Sequence, residues 1–432
     1  MKNTSLLIDL SYKIKSRNDF NYYKGFKQNF NKPLDLLEQE QLVAFHNLFV
    51  FCKKNVPYYD KLFNTLKLEV SDFKSLEDLQ KIPLLDKAII LNNYNDFSPR
   101  NYDKKTVSGA TGGSTGEPLK YKMSVDDYSR GVALLYRGLN QGGYNPGDKI
   151  AVLAGGSLVK NKTSISSKIN NVILNYKKFS SFGVDNNDLE LYYNTLNKWK
   201  PNFFRGYASS LVLFAKFCLD NNKDLKFQSV FSTAEMLLPA QRQLIETAFN
   251  TKVYNNYGLN DGGVSAYEIN KNNEFIIDTE RSILEIVNEQ ENVYNTNGKI
   301  IATSLYNYAL PFIRYDTGDN GTQILGDKNC RKKLIDLRGR TTDYITINDK
   351  TISSPVLTVL MGKIDAIKYQ IIQKKNQSLE IRILKGKGYN LEQEKYIIES
   401  LTSNIDKGLD INFIYTDDFI KSANKHKFII KE

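Results

Sequence analysis

The residues most suited to chemistry in this chain lie in the stretch Ser108–Pro118, SGATGGSTGEP, where all but the last two are Gly, Ala, Ser or Thr. Such a segment buries little apolar surface. Its glycines allow backbone angles that turn several N–H groups toward one point, with hydroxyls between them. That is the donor array that holds phosphate oxygens. No Gly-Lys-Ser or Gly-Lys-Thr follows at the P-loop offset, and the G-x-G-x-x-G dinucleotide pattern is missing as well. Taken alone, the stretch is a candidate phosphate loop or a plain surface loop.

Further chemistry-bearing stretches follow downstream. Ser232-Thr233-Ala234-Glu235 places a carboxylate at a turn. Asn256-Tyr257-Gly258-Leu259-Asn260-Asp261 joins an aromatic ring to an acid. Ile313-Arg314-Tyr315-Asp316-Thr317-Gly318-Asp319 and Gly339-Arg340-Thr341-Thr342-Asp343-Tyr344-Ile345 add acids and cations in turn-rich settings, and Lys427-Phe428 lies close to the last residue. Each of these has an ordinary structural explanation: Thr-Gly-Asp is turn chemistry anywhere, and Glu235 suits a helix N-terminus.

The elements that must position these groups are legible from periodicity. Residues 1–100 read as largely helical, with apolar spacing from Leu36 to Phe51 before Pro57. Strand and helix then alternate. Ile150–Ala154 is a short apolar strand, and Leu189, Tyr193 and Leu196 line a helix over 187–199. Phe203-Phe204 is extended, and Ser209 is placed to cap a helix holding Leu211, Phe214, Ala215 and Cys218. Val230-Phe231 is a strand, Leu244 to Phe249 a helix, and Val253-Tyr254 a strand. This alternation predicts an α/β fold with mostly parallel sheets flanked by helices. From about 265 to 342 the pattern shifts to short strands, with Asn297-Gly298 as a turn signal. Beyond it, strands at 369–372, 379–384 and 411–415 enclose a helix over 391–405, with Leu391, Ile398, Leu401 and Ile405 expected inward. The reading is a large N-terminal domain over 1–342, with a β-rich subdomain at about 265–342, and a small mobile α+β C-terminal domain over 343–432.

Composition excludes several functions. The chain of 432 residues carries a net charge of +11, yet its lysines are scattered and no nucleic-acid motif accompanies them. No nucleic-acid partner is expected, and a polyanion-binding protein is what charge alone suggests. Three distant cysteines (Cys52, Cys218, Cys330) suggest neither a disulfide framework nor a zinc site. Only His46 and His426 exist, so a Ser-His-Asp triad or a His-ligated metal would have to use one of them. Asp9 breaks the short apolar run at the N-terminus, no segment is long enough to span a bilayer, and a cytoplasmic protein without membrane insertion is expected.

In their order and spacing, the loop and the five downstream stretches resemble the motifs of the adenylate-forming superfamily of acyl-CoA synthetases and adenylation domains. VPYYDKLF at 56–63, KIPLLDK at 81–87, FFRGYASSL at 203–211, STAEMLLPAQR at 232–242 and KYQIIQ at 368–373 are similar to its phenylacetate–CoA ligase and CapK-like branch. The resemblance implies ATP-dependent activation of a small-molecule carboxylate as an acyl-adenylate, with release of pyrophosphate and transfer to an acceptor. It implies ATP phosphate binding by Thr111, Gly112, Gly113, Ser114, Thr115 and Gly116. Adenine and ribose would meet Ala234, Glu235, Asn256, Tyr257, Asp319 and Arg340. The acyl group would meet Gly206, Tyr207 and Gly258, Asp343 would be the hinge, and Lys427 the catalytic lysine.

Two positions depart from the family pattern. Asp261 stands where a glutamate ligates Mg2+, so it is the expected metal-binding and catalytic carboxylate with a shorter reach. His426 replaces the glycine before the lysine, which leaves Lys425 as a competitor of Lys427. The 267–271 stretch lacks the Cys and His that bind zinc in some relatives, so no zinc is expected. Coenzyme A is the expected acceptor. An amine on an amino sugar or amino acid in surface-polysaccharide assembly is the alternative, and a non-catalytic nucleotide-binding protein is the alternative of another class. A homodimer and a monomer are both open.

Overall fold

The computed structural model describes residues 17–432 apart from 112–118, 155–170, 182–183, 271–272, 290, 325–330, 339–343, 349, 354–356, 358–359, 362–363, 387, 423–424 and 427–428. The chain groups into two compact units, neither of them one continuous stretch. The first takes Met1–Gly109, Tyr121–Gly147 and Tyr254–Gly339, and the second takes Ala110–Lys120, Asp148–Val253 and Arg340–Glu432. The boundary expected at 342/343 falls outside the described residues.

In the first unit, helices Asp19–Gln28, Leu34–Asn55, Pro57–Thr65 and Val125–Asn140 accompany a run of antiparallel strands. Ser282–Asn288, Asn297–Ser304, Tyr315–Ile324, Lys333–Arg338, Glu274–Ile277, Ser265–Asn270 and Lys252–Gly258 pair in that order. No helix interrupts the sequence here, so successive strands can meet only as hairpins, which are antiparallel. The expectation of mostly parallel sheets is therefore corrected for this part. The Asn297-Gly298 pair also differs from its reading as a turn. It opens a strand, and a Cβ at Gly298 would lie 2.8 Å from the Val287 carbonyl oxygen. Close backbone approach explains that glycine.

Buried charge locks this unit. Arg314 is 1% exposed and has a left-handed φ of 54°. Its Nε donates to both oxygens of Glu285 at 3.1 and 3.2 Å, and one terminal nitrogen donates to the Ile82 carbonyl at 2.6 Å. The backbone of the same stretch pairs with Leu85: Leu85 N–H donates to the Arg314 carbonyl, and Asp316 N–H donates to the Leu85 carbonyl, each at 2.8 Å. A second cluster joins Arg137 to Asp278 and Glu280, with Arg331 donating to Glu280 at 2.6 Å.

The second unit holds the parallel part. Tyr176–Ser180, Ile150–Ala154, Phe203–Tyr207 and Ser229–Thr233 lie side by side in parallel register. Helices Asn186–Trp199, Ala208–Asp220 and Pro239–Phe249 supply Leu189, Leu196, Leu211, Phe214, Ile245 and Phe249 to a core shared with Phe204 and Val230. Toward the C-terminus, Ile411–Tyr415, Leu379–Lys385, Ala366–Gln373 and Ile429–Lys431 form a small mixed sheet. Helix Leu391–Asn404 packs Ile397 and Leu401 into that core, with Ile405 just beyond its end. Leu391, expected inward, is 78% exposed because it is the first helical residue, and the buried face runs through Ile397 rather than Ile398.

Removing the partner of a buried charge leaves that charge uncompensated. Glu285→Ala is expected to lower unfolding stability by about 3–5 kcal/mol, read from denaturation midpoints, with Glu285→Gln losing less because an acceptor oxygen remains. A pH dependence follows from the second cluster. Burial works against the charged Glu280 carboxylate, but Arg137 and Arg331 outweigh it and bring its pKa from 4.5 down to about 2. A carboxylate lowered in the folded state contributes stability above its unfolded pKa and loses it as the pH falls through the folded one. The stability difference between wild type and Glu280→Gln is therefore expected to be full at pH 7 and to shrink between pH 4.5 and 2. Burial raises Asp278 in the same cluster despite Arg137, so this difference, rather than either raw curve, isolates Glu280.

Candidate active site

Thr111 and Leu119 bracket the Gly-rich stretch and are tied to each other. Thr111 N–H donates to the Leu119 carbonyl at 2.9 Å, and Leu119 N–H donates to Thr111 Oγ1 at 3.1 Å. The two ends of the nine-residue stretch 111–119 are thereby held one hydrogen-bonded pair apart, and the Thr111 hydroxyl proton is left to donate. Just before it, a Cβ at Gly109 would come within 2.4 Å of the Tyr121 ring, so any larger residue there would displace that ring. Gly112, Gly113, Ser114, Thr115 and Gly116 lie outside the described residues, as do Arg340, Asp343 and Lys427. Lys425 lies in the short strand Lys425–His426.

Strand Lys252–Gly258 presents the Tyr-Gly stretch. Tyr257 Oη donates to Asp319 Oδ2 at 3.0 Å, which joins two predicted site residues that are 62 positions apart. Burial, then the Asp319 charge, push the Tyr257 hydroxyl well above its usual pKa, so it stays a donor. Its ring rests on the core formed by Val264, Ala266 and Phe275. Asp319 follows Gly318, whose φ is +77°, at an irregularity within strand Tyr315–Ile324 rather than at a turn. Gly318 N–H donates to Asp316 Oδ1 at 2.9 Å, and Asp319 N–H donates to Thr317 Oγ1 at 3.2 Å. Strand alternation turns the neighbouring Asn256 side chain the other way. Its Nδ2 lies 2.7 Å from where a Cβ of Gly138 would stand, and its Oδ1 is buried without a hydrogen-bond partner.

Asp261 is buried in a turn after Gly258, where Leu259 N–H donates to the Val264 carbonyl at 2.9 Å. Tyr121 lies close to it: burial first, then the Asp261 charge, push the Tyr121 hydroxyl up to about 12, while an Asn260 hydrogen bond pulls it back. Arg281, held by Asp127 at 2.7 Å, also feels Asp261. Tyr121 and Arg281 were invisible as site neighbours in the sequence, where neither sits in a recognisable motif. No group of three His, Cys, Asp or Glu able to hold a metal gathers among the described residues.

In the second unit, Gly206, Tyr207, Ala234 and Glu235 come together at the ends of adjacent parallel strands, with Tyr207 opposite Thr233. Gly206 has no room for a side chain, since a Cβ would lie 2.7 Å from the Leu153 carbonyl oxygen. Tyr207 precedes helix Ala208–Asp220 and packs against the core of Ile345, Tyr369 and Ile381. The cap of that helix differs from expectation. Ser209 lies inside it, and the Glu235 carboxylate accepts from Ser209 N–H at 2.7 Å and from Ser209 Oγ at 3.0 Å. Ala234 is held at φ +65°, a left-handed angle that costs a Cβ-bearing residue about 1–2 kcal/mol.

No family model matches the chain. The Protein CapK of Staphylococcus aureus is 27% identical over 383 residues, 85% of this chain and 83% of that one. A phenylacetate-coenzyme A ligase of Thermus thermophilus is 22% identical over 82% of this chain and 83% of its own. That of Escherichia coli is 23% identical over 68% and 69%. A solved 2-hydroxyisobutyryl-CoA ligase, in complex with 2-HIB-AMP and CoA in the thioesterification state, superposes with a TM-score of 0.62 at 17% identity, covering 94% of this chain and 91% of that one. The fold is thus the mixed α/β fold of that ligase. The resemblance to the adenylate-forming ligases is borne out by distant homologues over most of the chain, all of them in the phenylacetate–CoA ligase and CapK-like branch. Among the described residues, no helix is long and apolar enough to cross a membrane.

Glu235 replaces a side-chain cap, and loss of a cap costs about 1 kcal/mol. Glu235→Ala is expected to lower stability by that amount in chemical denaturation, and Glu235→Gln to recover part of it. A loss within error for Glu235→Ala would remove the capping role.

Proposed function

We propose that this chain is an AMP-forming, carboxylate–CoA ligase-like enzyme. The observation that carries the reading is the 3.0 Å hydrogen bond between Tyr257 and Asp319. It fixes an aromatic ring beside a carboxylate, the pair that adenine and the two ribose hydroxyls require. Arg340 is the second ribose contact, the Ala234–Glu235 turn lines the adenine edge, and Asn256 contributes through its backbone. Thr111 to Gly116 hold the β- and γ-phosphates with hydroxyls and amides. Gly206, Tyr207 and Gly258 border the acyl group.

A carboxylate oxygen attacks the α-phosphorus of ATP, the bond to pyrophosphate breaks, and the acyl-adenylate remains. Negative charge grows on the phosphate oxygens and is met by fixed donors. Lys427 donates to the α-phosphate and carboxylate oxygens as a point charge on a flexible stem. Asp261 would supply one of the one or two carboxylates that hold a magnesium ion carried on nucleotide phosphates, and such an ion would neutralise phosphate charge. The acceptor thiol of coenzyme A then attacks the acyl carbon, and AMP leaves. Asp343 is the hinge about which the C-terminal part turns between the two steps.

ATP–pyrophosphate exchange with a panel of carboxylic acids tests this. Exchange with at least one acid is expected, and Lys427→Ala should suppress it about 10²–10³-fold, the usual cost of a lost transition-state donor, while nucleotide binding persists. Normal exchange in Lys427→Ala with loss in Lys425→Ala would move the role to Lys425. No exchange with any acid would end the reading. Adding coenzyme A or an amine to the stalled adenylate then identifies the acceptor by the product formed.

A further inference from the structure

Among the described residues, the buried arginines are each held by carboxylates: Arg137 by Asp278 and Glu280, Arg281 by Asp127, Arg314 by Glu285 and Arg331 by Glu280. Arg205 is different. It sits in the middle of strand Phe203–Tyr207, is partly buried, and has a buried Nε with no hydrogen-bond partner. It makes no ion pair among the described residues. A buried charged donor without an acceptor is costly, and a position between the buried Val152 and Phe231 is a poor place for it. Among the described residues, no carboxylate pairs with this side chain.

Register places a second cation beside it. Val152 pairs with Arg205 on one side and with Lys178 on the other. Directly paired residues share a face, so Arg205, Val152 and Lys178 form one row across three strands, with the outer Cα atoms about 10 Å apart. On the other side Arg205 pairs with Phe231, which is buried. Lys178 is exposed, and among the described residues it makes no ion pair. Two long cationic side chains thus flank an apolar floor. Tyr207 lies on the same face two residues on, at the carboxyl end of the strand. Open α/β sheets take their ligands at that end.

We propose that Arg205, with Lys178 beside it, receives a second anionic group on the acid, a carboxylate or a phosphate monoester remote from the carboxyl that is activated. The substrate class is then a diacid or a phosphorylated acid, not a plain aromatic or aliphatic monoacid. A guanidinium offers two parallel donors matched to either group, and the buried Nε is one of them. The identity of the ligand as an acyl substrate rests on the adenylation reading above; the existence of the anion site does not.

The test uses the full chain in two assays. In pyrophosphate exchange, succinate, glutarate and adipate are compared with the monoacids of equal length, and 3-phosphoglycerate with glycerate. A preference for the doubly anionic member of a pair is expected in kcat/KM, and Arg205→Met should erase about 10- to 100-fold of it through KM, with Arg205→Lys intermediate. The diacid and phosphate arms separate the two sources of the anion. Wild-type preference for the monoacids, or a ratio unchanged in Arg205→Met, would overturn the proposal. Calorimetric titration with the same doubly anionic probes is independent of turnover. Binding by wild type that Arg205→Met loses supports the anion site even where no acid supports exchange, an outcome that would sink only the adenylation reading. Equal binding by both proteins, or none by wild type, overturns the anion site. Arg205 has no partner to lose among the described residues, so Arg205→Met should melt at or above the wild-type temperature.

Discussion

The constraint on which much of the first unit depends is the burial of Arg314. A guanidinium that is 1% exposed must find acceptors, and Glu285 and the Ile82 carbonyl provide them. Satisfying that one side chain brings three separate segments together: the Ser282–Asn288 strand, the 82–85 stretch and the strand that begins at Tyr315. The left-handed backbone at Arg314 and the backbone bonds with Leu85 complete the arrangement. The consequence is felt a few residues on. Tyr315–Asp319 leaves this anchor in a fixed direction, so the Asp319 carboxylate arrives where the Tyr257 hydroxyl meets it. Tyr59 adds a second tie from the helical region, accepting from Ile313 N–H at 2.8 Å.

Close backbone approach is the second device. Gly138 lies within helix Val125–Asn140, where glycine weakens the helix, yet a Cβ there would collide with Asn256 and crowd Tyr267. The helix can rest on the strand carrying Tyr257 only because that position has no side chain. Gly262 and Gly263 do the same for the turn that holds Asp261, against Ala302 and Ser304. The turn is seated by contact with the sheet, which lets a short Asp side chain be buried at a defined depth. Stability is given up locally so that the site-bearing segments can come close.

Period and punctuation made the second unit readable. Its strands 150–154 and 203–207 and its helices holding Leu189, Phe214 and Phe249 follow from apolar runs and helical spacing, because each element buries one continuous face. The antiparallel run was less legible. A mostly parallel sheet was expected from alternation that ends near residue 258, and an Asn-Gly pair read as a turn is the opening of a strand. Local sequence cannot distinguish a glycine needed for φ > 0 from one needed for clearance. Site residues were visible where they sit in dense polar or Gly-rich motifs, as Asp261 and Asp319 do. Tyr121 and Arg281 were not, because long-range folding alone brings them to Asp261, and neither has an unusual neighbourhood in sequence. The capping of helix Ala208–Asp220 shows the same limit: Ser209 had the right chemistry, but the carboxylate that satisfies the helix comes from Glu235, 26 residues away.

Strand alternation also decides what a motif can do. Asn256 and Tyr257 are adjacent in sequence and alike in being polar, yet one faces Gly138 and the other reaches Asp319. On strand Phe203–Tyr207, Gly206 faces Leu153 and Leu211 in the helix-covered core, while Arg205 and Tyr207 face the other way. A motif read as a string credits all its members equally. The pleat halves that list, and the half it keeps includes residues, such as Arg205, whose presence packing does not explain. A charged side chain beside buried Val152 and Phe231, with no ion-pair partner among the described residues, is costly to the fold, and a ligand that completes it would offset that cost. The physical reading of the fold and the chemical reading of the site meet at this point, because the groups that the fold leaves unsatisfied are the ones available to bind.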